Sequence, residues 1–236
     1  MLALTATPDY GRDAATNVYP MPGRPHRDAP IEADPFSAAM PSVYAPREDL
    51  FLEGDDATHM CEVIEGVICA YRLLPDGHRH VVSFYFPGDL IGYCCSGCQS
   101  FSAQALTRVR VRRIPRSAIS QMIETRPGFA RRLLELASGE LMMTREHLLC
   151  LAAKSAEARL AAFLLALSRR NADAGTDPKQ VFLPMTRLDI GDYLGLTIET
   201  VSRTLSKFKR SGIIALPRTT SVLIRDEAAL CDIAQS

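Results

Sequence analysis

The 236-residue sequence has no excess of charge of one sign and no long apolar run. Its 27 Lys/Arg and 27 Asp/Glu residues cancel, so the average charge indicates no nucleic-acid partner, although a local basic patch is compatible with it. No run of about 18 apolar residues occurs, so we expect no membrane partner. The N-terminus lacks the basic start and apolar core of a secretory signal, and we therefore expect a cytoplasmic protein.

The sequence also lacks a disulfide framework and a catalytic constellation. Its seven cysteines are odd in number and irregularly spaced, so reduced thiols are the default state in a cytosol. Its five histidines share no spacing with Asp or Ser residues, so we do not expect an enzyme. Apolar residues nevertheless make up 47% of the chain, enough for one large domain or two modest ones.

Proline content and apolar periodicity divide the chain into segments. Residues 1–42 hold seven of the 15 prolines and no apolar periodicity, which predicts a flexible N-terminal arm. Residues 43–126 form the next segment. Up to Pro115 they carry short apolar runs broken by glycine every 11 or 12 residues, which is typical of an all-β sandwich or barrel, and residues 116–126 read as a short helix that Pro127 ends. Within the β part, Asp76 and Gly77 predict a tight hairpin turn, because glycine adopts the positive φ that such a turn needs.

Residues 127–153 read as one long helix with two apolar faces. Leu133, Leu136 and Met143 are suited to pack on the β segment. A second set of residues steps by three and four positions, as in a coiled-coil seam. We therefore predict a dimerisation helix, with packing inside its own domain as the alternative. The predicted dimer seam comprises Leu134, Ala137, Leu141, Thr144, Leu148 and Leu151.

Residues 154–236 contain two short helices joined by a glycine turn, the pattern of a helix-turn-helix. Thr186 can cap the first helix, Gly195 ends it, and the second helix begins at about Ile198. The following "IIALPRTTSVLIRD" predicts a two-stranded wing with its turn near residues 217–220. We interpret this segment as a winged helix-turn-helix domain.

The second of these helices presents Glu199, Ser202 and Arg203 on one face, because residues three and four apart share a face. Polar residues in the first turns of a recognition helix reach base edges in the major groove of double-stranded DNA. Arginine can bind guanine through two hydrogen bonds, and glutamate can accept one from cytosine. We predict that these three side chains read DNA bases.

The same segment carries the local basic charge that the average conceals. Residues 186–225 hold seven Lys/Arg and three Asp/Glu, a local net charge of +4. Together with a helix-turn-helix, this excess favours binding to the DNA backbone. The predicted backbone contacts are Thr186, Thr200, Lys207, Lys209 and Arg210.

Three motifs resemble the CRP/FNR family of bacterial transcription regulators over about residues 43–234. They are "FPGDLIG" in the β segment, "SGELMMTREHLLCLAAKSAEARLAAFLLALSRR", and "MTRLDIGDYLGLTIETVSRTLSKF". The last two are similar to the FNR–FixK branch in particular. The resemblance implies an α+β fold with an N-terminal β-roll like a cyclic-nucleotide-binding domain, a long dimerisation helix and a C-terminal winged helix-turn-helix.

The family resemblance also implies a function. It points to a homodimer that binds a palindrome of TTGA-like half-sites, read by Glu199, Ser202 and Arg203. It further implies transcriptional activation together with RNA polymerase, at genes used at low oxygen such as those for nitrogen fixation.

The β-roll departs from the family's cAMP and iron–sulfur patterns. As the resemblance implies, cAMP binders carry a Gly-Glu pair for the ribose and an Arg-Ser pair for the phosphate. Here Tyr93 follows Gly92 and Phe101 precedes Ser102, so both charged contacts are missing and we expect no cAMP. Oxygen-sensing FNR proteins hold a cluster on cysteines near the N-terminus, whereas this chain has none before Cys61. We therefore predict no cofactor.

Cys94, Cys95 and Cys98 leave three interpretations open. An all-cysteine zinc or iron–sulfur site needs four thiolates, and Cys61 or Cys69 could supply the fourth. Alternatively, Cys95 and Cys98 form a C-x-x-C pair that could act as a thiol–disulfide switch. The third interpretation gives these cysteines no special role. A metal- or redox-sensing regulator is thus the alternative to a regulator without a cofactor.

Overall fold

The computed structural model of the chain describes residue 39 and residues 41–92 and 97–236. Most of the predicted N-terminal arm therefore lies outside the described residues. The first strand begins at Pro41, two residues before the start at residue 43 that the sequence predicts for the β segment. This strand pairs with residues 109–112 in the middle of the sheet, which is why it extends into the proline-rich region.

In the described part of the chain the β segment, the long helix and the helix-turn-helix with its wing follow one another in the order that the sequence patterns predict. In chain order they are β1 (Pro41–Tyr44), β2 (Asp49–Phe51), β3 (His59–Glu65), β4 (Ile68–Leu73), β5 (Arg79–Tyr85), β6 (Leu90–Ile91), β7 (Ser102–Ala105), β8 (Val109–Pro115), α1 (Arg116–Thr125), α2 (Pro127–Ala153), α3 (Ala156–Asp173), β9 (Gln180–Phe182), α4 (Arg187–Leu194), α5 (Ile198–Arg210), β10 (Ile214–Arg218), β11 (Ser221–Ile224) and α6 (Glu227–Gln235).

The N-terminal half is a β-roll of two four-stranded antiparallel sheets, ordered β1-β8-β3-β6 and β2-β7-β4-β5. The predicted hairpin joins β4 to β5, and Gly77 adopts φ 81° in its turn. Side chains of Val63 and Val111 from the first sheet meet Ile68 and Ala70 from the second in a shared core. The α+β fold with an N-terminal β-roll is confirmed.

Strand β4 is buried on both faces, which explains its continuous apolar run. Successive side chains of a strand point to opposite faces. Ile68 and Ala70 face the core between the two sheets, whereas Cys69 joins a second core that includes the C-terminal helices. The β-roll is therefore covered by the C-terminal half of the chain on this side.

Helix α2 spans the same residues, Pro127–Ala153, as the predicted long helix. Leu133, Leu136 and Met143 are half-buried, whereas Leu134, Leu141 and Leu148 of the predicted seam are exposed in the single chain. Of the other seam positions, Ala137 and Thr144 are exposed and Leu151 is half-buried. The seam is thus a separate and more exposed face of the helix than the one that carries Leu133, Leu136 and Met143. No described helix is long and apolar enough to cross a membrane.

The C-terminal half is built on α3, whose central residues 160–167 are fully buried. The predicted wing is present as β10 and β11, but it is part of a three-stranded sheet ordered β10-β11-β9. Helix α6, which packs against α3 and buries Leu230 and Ala234, was not predicted from the sequence. Its nine residues are too few for a clear apolar period.

Candidate nucleic-acid interface

Local hydrogen bonds define both ends of the first helix, α4. The hydroxyl of Thr186 accepts a hydrogen bond from the backbone N–H of Asp189 (3.1 Å), and the Asp189 carboxylate accepts one from the N–H of Thr186 (2.9 Å). This reciprocal capping box satisfies donors that the helix itself cannot pair. At the other end Gly195 takes the left-handed conformation (φ 62°), which ends the helix.

The turn between α4 and α5 folds back closely onto α4. A Cβ atom at Gly191 would lie 2.6 Å from the carbonyl oxygen of Leu196, so only glycine fits at this position. The N–H of Leu196 also donates to the carbonyl of Gly191 (2.8 Å). Thr197 then caps α5 by accepting from the N–H of Thr200 (3.2 Å). The direction of α5 relative to α4 is therefore set by close backbone contacts.

Helix α5 separates cleanly into a buried and an exposed face. Val201, Leu205 and Phe208 are buried in the core. Glu199, Ser202 and Arg203, the predicted base readers, are all exposed on the opposite side. The structure thus brings these three side chains together on one accessible face.

Ser206 and Ile198, which were not predicted to contact DNA, share this exposed side of α5. At 100° per residue, Ser206 projects between Ser202 and Arg203, and its hydroxyl donates to the Ser202 carbonyl (2.8 Å). Ile198 is 41% exposed at the first position of the helix. Two features of the sequence could have placed them on this face: the helical period for Ser206, and the position directly after the Thr197 cap for Ile198.

The predicted backbone contacts fall into two groups. Lys209 and Arg210 are exposed at the end of α5. The other three are engaged within the chain: Thr186 in the capping box, Thr200 beside the Thr197 hydroxyl (3.1 Å), and Lys207 in an ion pair with Glu157 (2.5 Å). The exposed Arg218 at the wing turn is a further basic side chain that was not predicted.

The three acidic residues among residues 186–225 offset less of the basic surface charge than the local net charge of +4 suggests. Asp189 is buried, and its carboxylate lies 3.4 Å from a guanidinium nitrogen of Arg79 on β5. Its charge is therefore compensated inside the protein by a residue of the β-roll. The exposed surface of α5 and the wing is left with an excess of Lys and Arg, as phosphate binding requires.

The described side chains at the β-roll positions that the family resemblance links to a nucleotide have partners within the chain. Phe101 packs against Phe51 and Tyr85, with ring centroids 5.9 and 6.4 Å apart. The Ser102 hydroxyl accepts from the N–H of Glu53 (2.9 Å). Asp89 of the Pro-Gly-Asp turn pairs with Arg170 of α3 (2.6 Å). Tyr93, which stands in place of the family's glutamate, lies outside the described residues.

The cysteines near this region are only partly described. Cys94 and Cys95 lie outside the described residues, and Cys98 is exposed. Burial raises the pKa of the Cys61 thiol to about 11 and that of the Cys69 thiol to about 12, so both are protonated at neutral pH. Within residues 41–92 and 97–236, no group of three or more His, Cys, Asp or Glu side chains could hold a metal ion.

Residues 158–233 match the family model of the Crp-like helix-turn-helix domain, and residues 41–126 match that of the cyclic nucleotide-binding domain. The nitrogen fixation regulation protein FixK of Bradyrhizobium diazoefficiens is 46% identical over 169 residues, which cover 72% of this chain and 71% of that protein.

Two further similarities agree with these matches. The fumarate and nitrate reduction regulatory protein of Escherichia coli K12 is 36% identical over 189 residues, covering 79% of this chain and 75% of that protein. The structure of FixK2 from Bradyrhizobium japonicum superposes with a TM-score of 0.78 at 35% identity, covering 83% of this chain and 97% of FixK2.

A β-roll, a long helix and a winged helix-turn-helix with an exposed reading helix define a DNA-binding transcription regulator. The chain belongs to the CRP/FNR family, in its FixK branch. The predicted resemblance is thus confirmed. The relatives are regulators by name, so the prediction that the chain is not an enzyme is confirmed as well.

Proposed function

We propose that the protein is a homodimeric transcriptional activator that binds palindromes of TTGA-like half-sites and controls genes used at low oxygen. The observation that carries this proposal is the exposed α5 face of Glu199, Ser202 and Arg203, held by the capped turn described above. The relatives' names, which refer to nitrogen fixation and to fumarate and nitrate reduction, support the choice of target genes. DNA and RNA polymerase as partners imply a cytoplasmic location.

Homodimerisation is supported by the free face of α2. Leu134, Leu141 and Leu148 recur every seven residues and are 68%, 52% and 60% exposed in the single chain. Such a row of leucines on one face is the seam of a two-stranded coiled coil. A second copy related by a two-fold axis would bury it against an identical row. In this proposal residues 43–126 are a sensor-like β-roll, 127–153 the dimerisation helix and 154–236 the DNA-binding domain.

A palindromic target follows from that two-fold symmetry. Two α5 helices in one dimer would enter the major groove about one DNA turn apart, each on its own half-site. The guanine of a TTGA half-site offers O6 and N7 acceptors to the forked donors of Arg203. Glu199, one helical turn before Arg203, can accept from the N4 amino group of the cytosine paired with that guanine.

Independence of cAMP is part of the same proposal. Phe101 supplies no charge for a phosphate, and its ring packs on Phe51 and Tyr85. The Ser102 hydroxyl and the Asp89 carboxylate are engaged with Glu53 and Arg170. The β-roll therefore serves as a scaffold, and we propose that neither an iron–sulfur cluster nor another cofactor is needed for DNA binding.

The proposal is tested with the full-length protein and labelled duplexes at one fixed salt concentration. We expect binding to a TTGA palindrome to be about 1000-fold tighter than to a scrambled duplex of equal length, without added nucleotide. Transcription in vitro with RNA polymerase from a promoter carrying that palindrome should rise when the protein is added. Equal affinity for both duplexes, or binding only after cAMP is added, would show the proposal to be wrong.

A further inference from the structure

The link between the dimer helix and the DNA-binding domain is very short. Helix α2 ends at Ala153 and α3 begins at Ala156, so only Lys154 and Ser155 connect them. Both residues are extended, and Ser155 caps α3 by accepting from the N–H of Ala158 (3.2 Å). The angle at this link decides where everything after it, including α5, lies relative to the dimer axis.

One guanidinium group, that of Arg159, connects the ends of two helices at this link. It donates to the carbonyls of Leu151 (2.7 Å) and Lys154 (3.0 Å) at the end of α2. It also donates to the carbonyls of Leu194 (3.0 Å) and Gly195 (3.5 Å) at the end of α4. Carbonyls at a helix end lack partners within the helix, and the helix dipole favours a cation there.

Gly195 at the end of α4 lies close to both Arg159 and Leu151. A Cβ atom at Gly195 would lie 3.4 Å from a guanidinium nitrogen of Arg159 and 3.6 Å from Leu151, so α4 ends directly on the end of α2. The guanidinium is planar and presents its donors in a fixed fork, whereas an ammonium group is a single point charge. Arg159 therefore holds both the distance and the direction between the two helix ends.

From this geometry we infer that Arg159 is a positioning residue that sets the spacing of the DNA half-sites the protein accepts. The inference rests on the proposed function, since it requires a dimer on a palindrome. Arg159 lies on α3 and not on the reading face, so its effect reaches DNA through the position of α4. Helix α5 follows α4 through the tight turn at Gly195, and its position relative to α2 fixes the separation of the two reading helices.

The affinity for palindromes that differ in half-site spacing is a sensitive measure of the separation of the two α5 helices. Each added base pair moves the second half-site by about 3.4 Å and rotates it by about 35° around the DNA axis. A dimer with a rigid link tolerates such a change poorly. A dimer with a loosened link loses conformational entropy when it binds the palindrome of the best spacing, so its affinity there falls. The same freedom lets it bind palindromes of other spacings with a smaller loss of affinity.

The experiment measures the affinity of the full-length protein for four duplexes at fixed salt. They are a TTGA palindrome at the best spacing, the same palindrome with one base pair more or one fewer, and a duplex with a single intact half-site. The variants are Arg159→Gln, Arg159→Lys and, as matched control, Arg169→Gln. Arg169 is exposed on the same helix and contacts neither helix end in the described residues.

We expect Arg159→Gln to lose about tenfold in affinity at the best spacing and clearly less at the altered spacings, so that its spacing profile flattens. Its affinity for the single half-site should stay near that of the wild type. Arg159→Lys keeps the positive charge and the fold but loses the fork, so its profile should flatten as well. Arg169→Gln should keep the wild-type profile.

An equal loss on all four duplexes would show that Arg159 only stabilises the domain, and an unchanged profile in both variants would show no positioning role. Either result overturns the inference while leaving the proposed function intact. If Arg159→Gln does not fold, the profile of Arg159→Lys decides. If the wild type itself has no preferred spacing, the proposed dimer on a palindrome is wrong and the inference is overturned with it.

Discussion

The imidazole ring of His147 stacks on the ring of Tyr193, with the centroids 4.5 Å apart and the planes inclined by 14°. His147 belongs to α2 and Tyr193 to α4, so the predicted dimer helix touches the helix-turn-helix directly. Tyr193 also meets Phe84 of the β-roll (5.2 Å) and Phe163 of α3 (5.9 Å). One aromatic cluster therefore joins the β-roll, the long helix α2 and the DNA-binding domain.

The stability of the folded protein should depend on pH through His147. Burial, with a smaller effect of the nearby Arg159, lowers the pKa of His147 to about 4 in the folded protein. The unfolded chain, in which the pKa is about 6.5, binds more protons between these values. Stability is then complete above about pH 6.5 and falls as the pH decreases toward 4. Urea midpoints at about pH 7.5 and about pH 5 measure the effect.

The matched variants for this prediction are His147→Gln and His78→Gln. Glutamine cannot be protonated, so His147→Gln should show a smaller decrease in the urea midpoint between the two pH values. His78 is exposed in the β4–β5 turn, and its replacement should leave the wild-type decrease unchanged. The explanation fails if His147→Gln retains the full pH dependence.

Replacing Arg203 should affect base reading, whereas replacing Lys209 should affect backbone binding. Arg203→Ala should weaken binding to the TTGA palindrome by about 1–3 kcal/mol and relax specificity at the guanine. Lys209→Ala should weaken specific and scrambled duplexes alike and reduce the slope of log affinity against log salt by about 1. Titrations at several salt concentrations separate the two effects. If Arg203→Ala loses equally on both duplexes, Arg203 contacts phosphate instead.

Two neighbouring residues on α2 offer a matched test of the dimer seam. Leu141 and Met142 are similarly exposed, at 52% and 56%, but only Leu141 lies on the seam. Leu141→Glu places a charge in the centre of the predicted interface and should give a monomer in sedimentation experiments. Met142→Glu should remain dimeric. If neither variant, or both equally, dissociate, the assigned seam is incorrect.

Added cAMP should not stabilise the protein. A ligand that binds the folded state raises the melting temperature in proportion to the logarithm of its excess over the dissociation constant. Phe101 replaces the cation that would pair with the phosphate, so we expect no shift in the melting temperature at saturating cAMP. A cAMP-binding relative measured in parallel is the positive control. A concentration-dependent shift would contradict the assignment.

Protein purified without oxygen should contain no stoichiometric iron and should bind DNA alike in air and under reductant. Cys61 and Cys69 are buried thiols whose raised pKa disfavours the thiolate that a metal needs. Cys98→Ser should leave DNA affinity unchanged. Bound iron, or DNA binding that is lost on oxidation and restored by thiol, would favour the redox-sensing alternative.

Much of the DNA-binding domain could be predicted from the sequence, because its determinants lie within a few residues of one another. The cap at Thr186, the break at Gly195 and the two faces of α5 follow from local hydrogen bonding and helical period. The hairpin at Gly77 is local in the same sense. The ends of α2 were predicted because Pro127 marks its start and its apolar period is long.

Contacts between distant segments were decided only by the tertiary structure. Nothing near Arg159 in the sequence indicates that its guanidinium meets Leu194, 35 positions away. Likewise, nothing near Lys207 indicates that its ammonium group pairs with Glu157, 50 positions away. Periodicity and capping act over one or two helical turns, so the sequence alone determined the long helix, the helix-turn-helix and the reading face of α5, but not the short helix α6. Which charges remain available, and how α5 is held relative to the dimer helix, depend on side chains that become neighbours only when the chain folds.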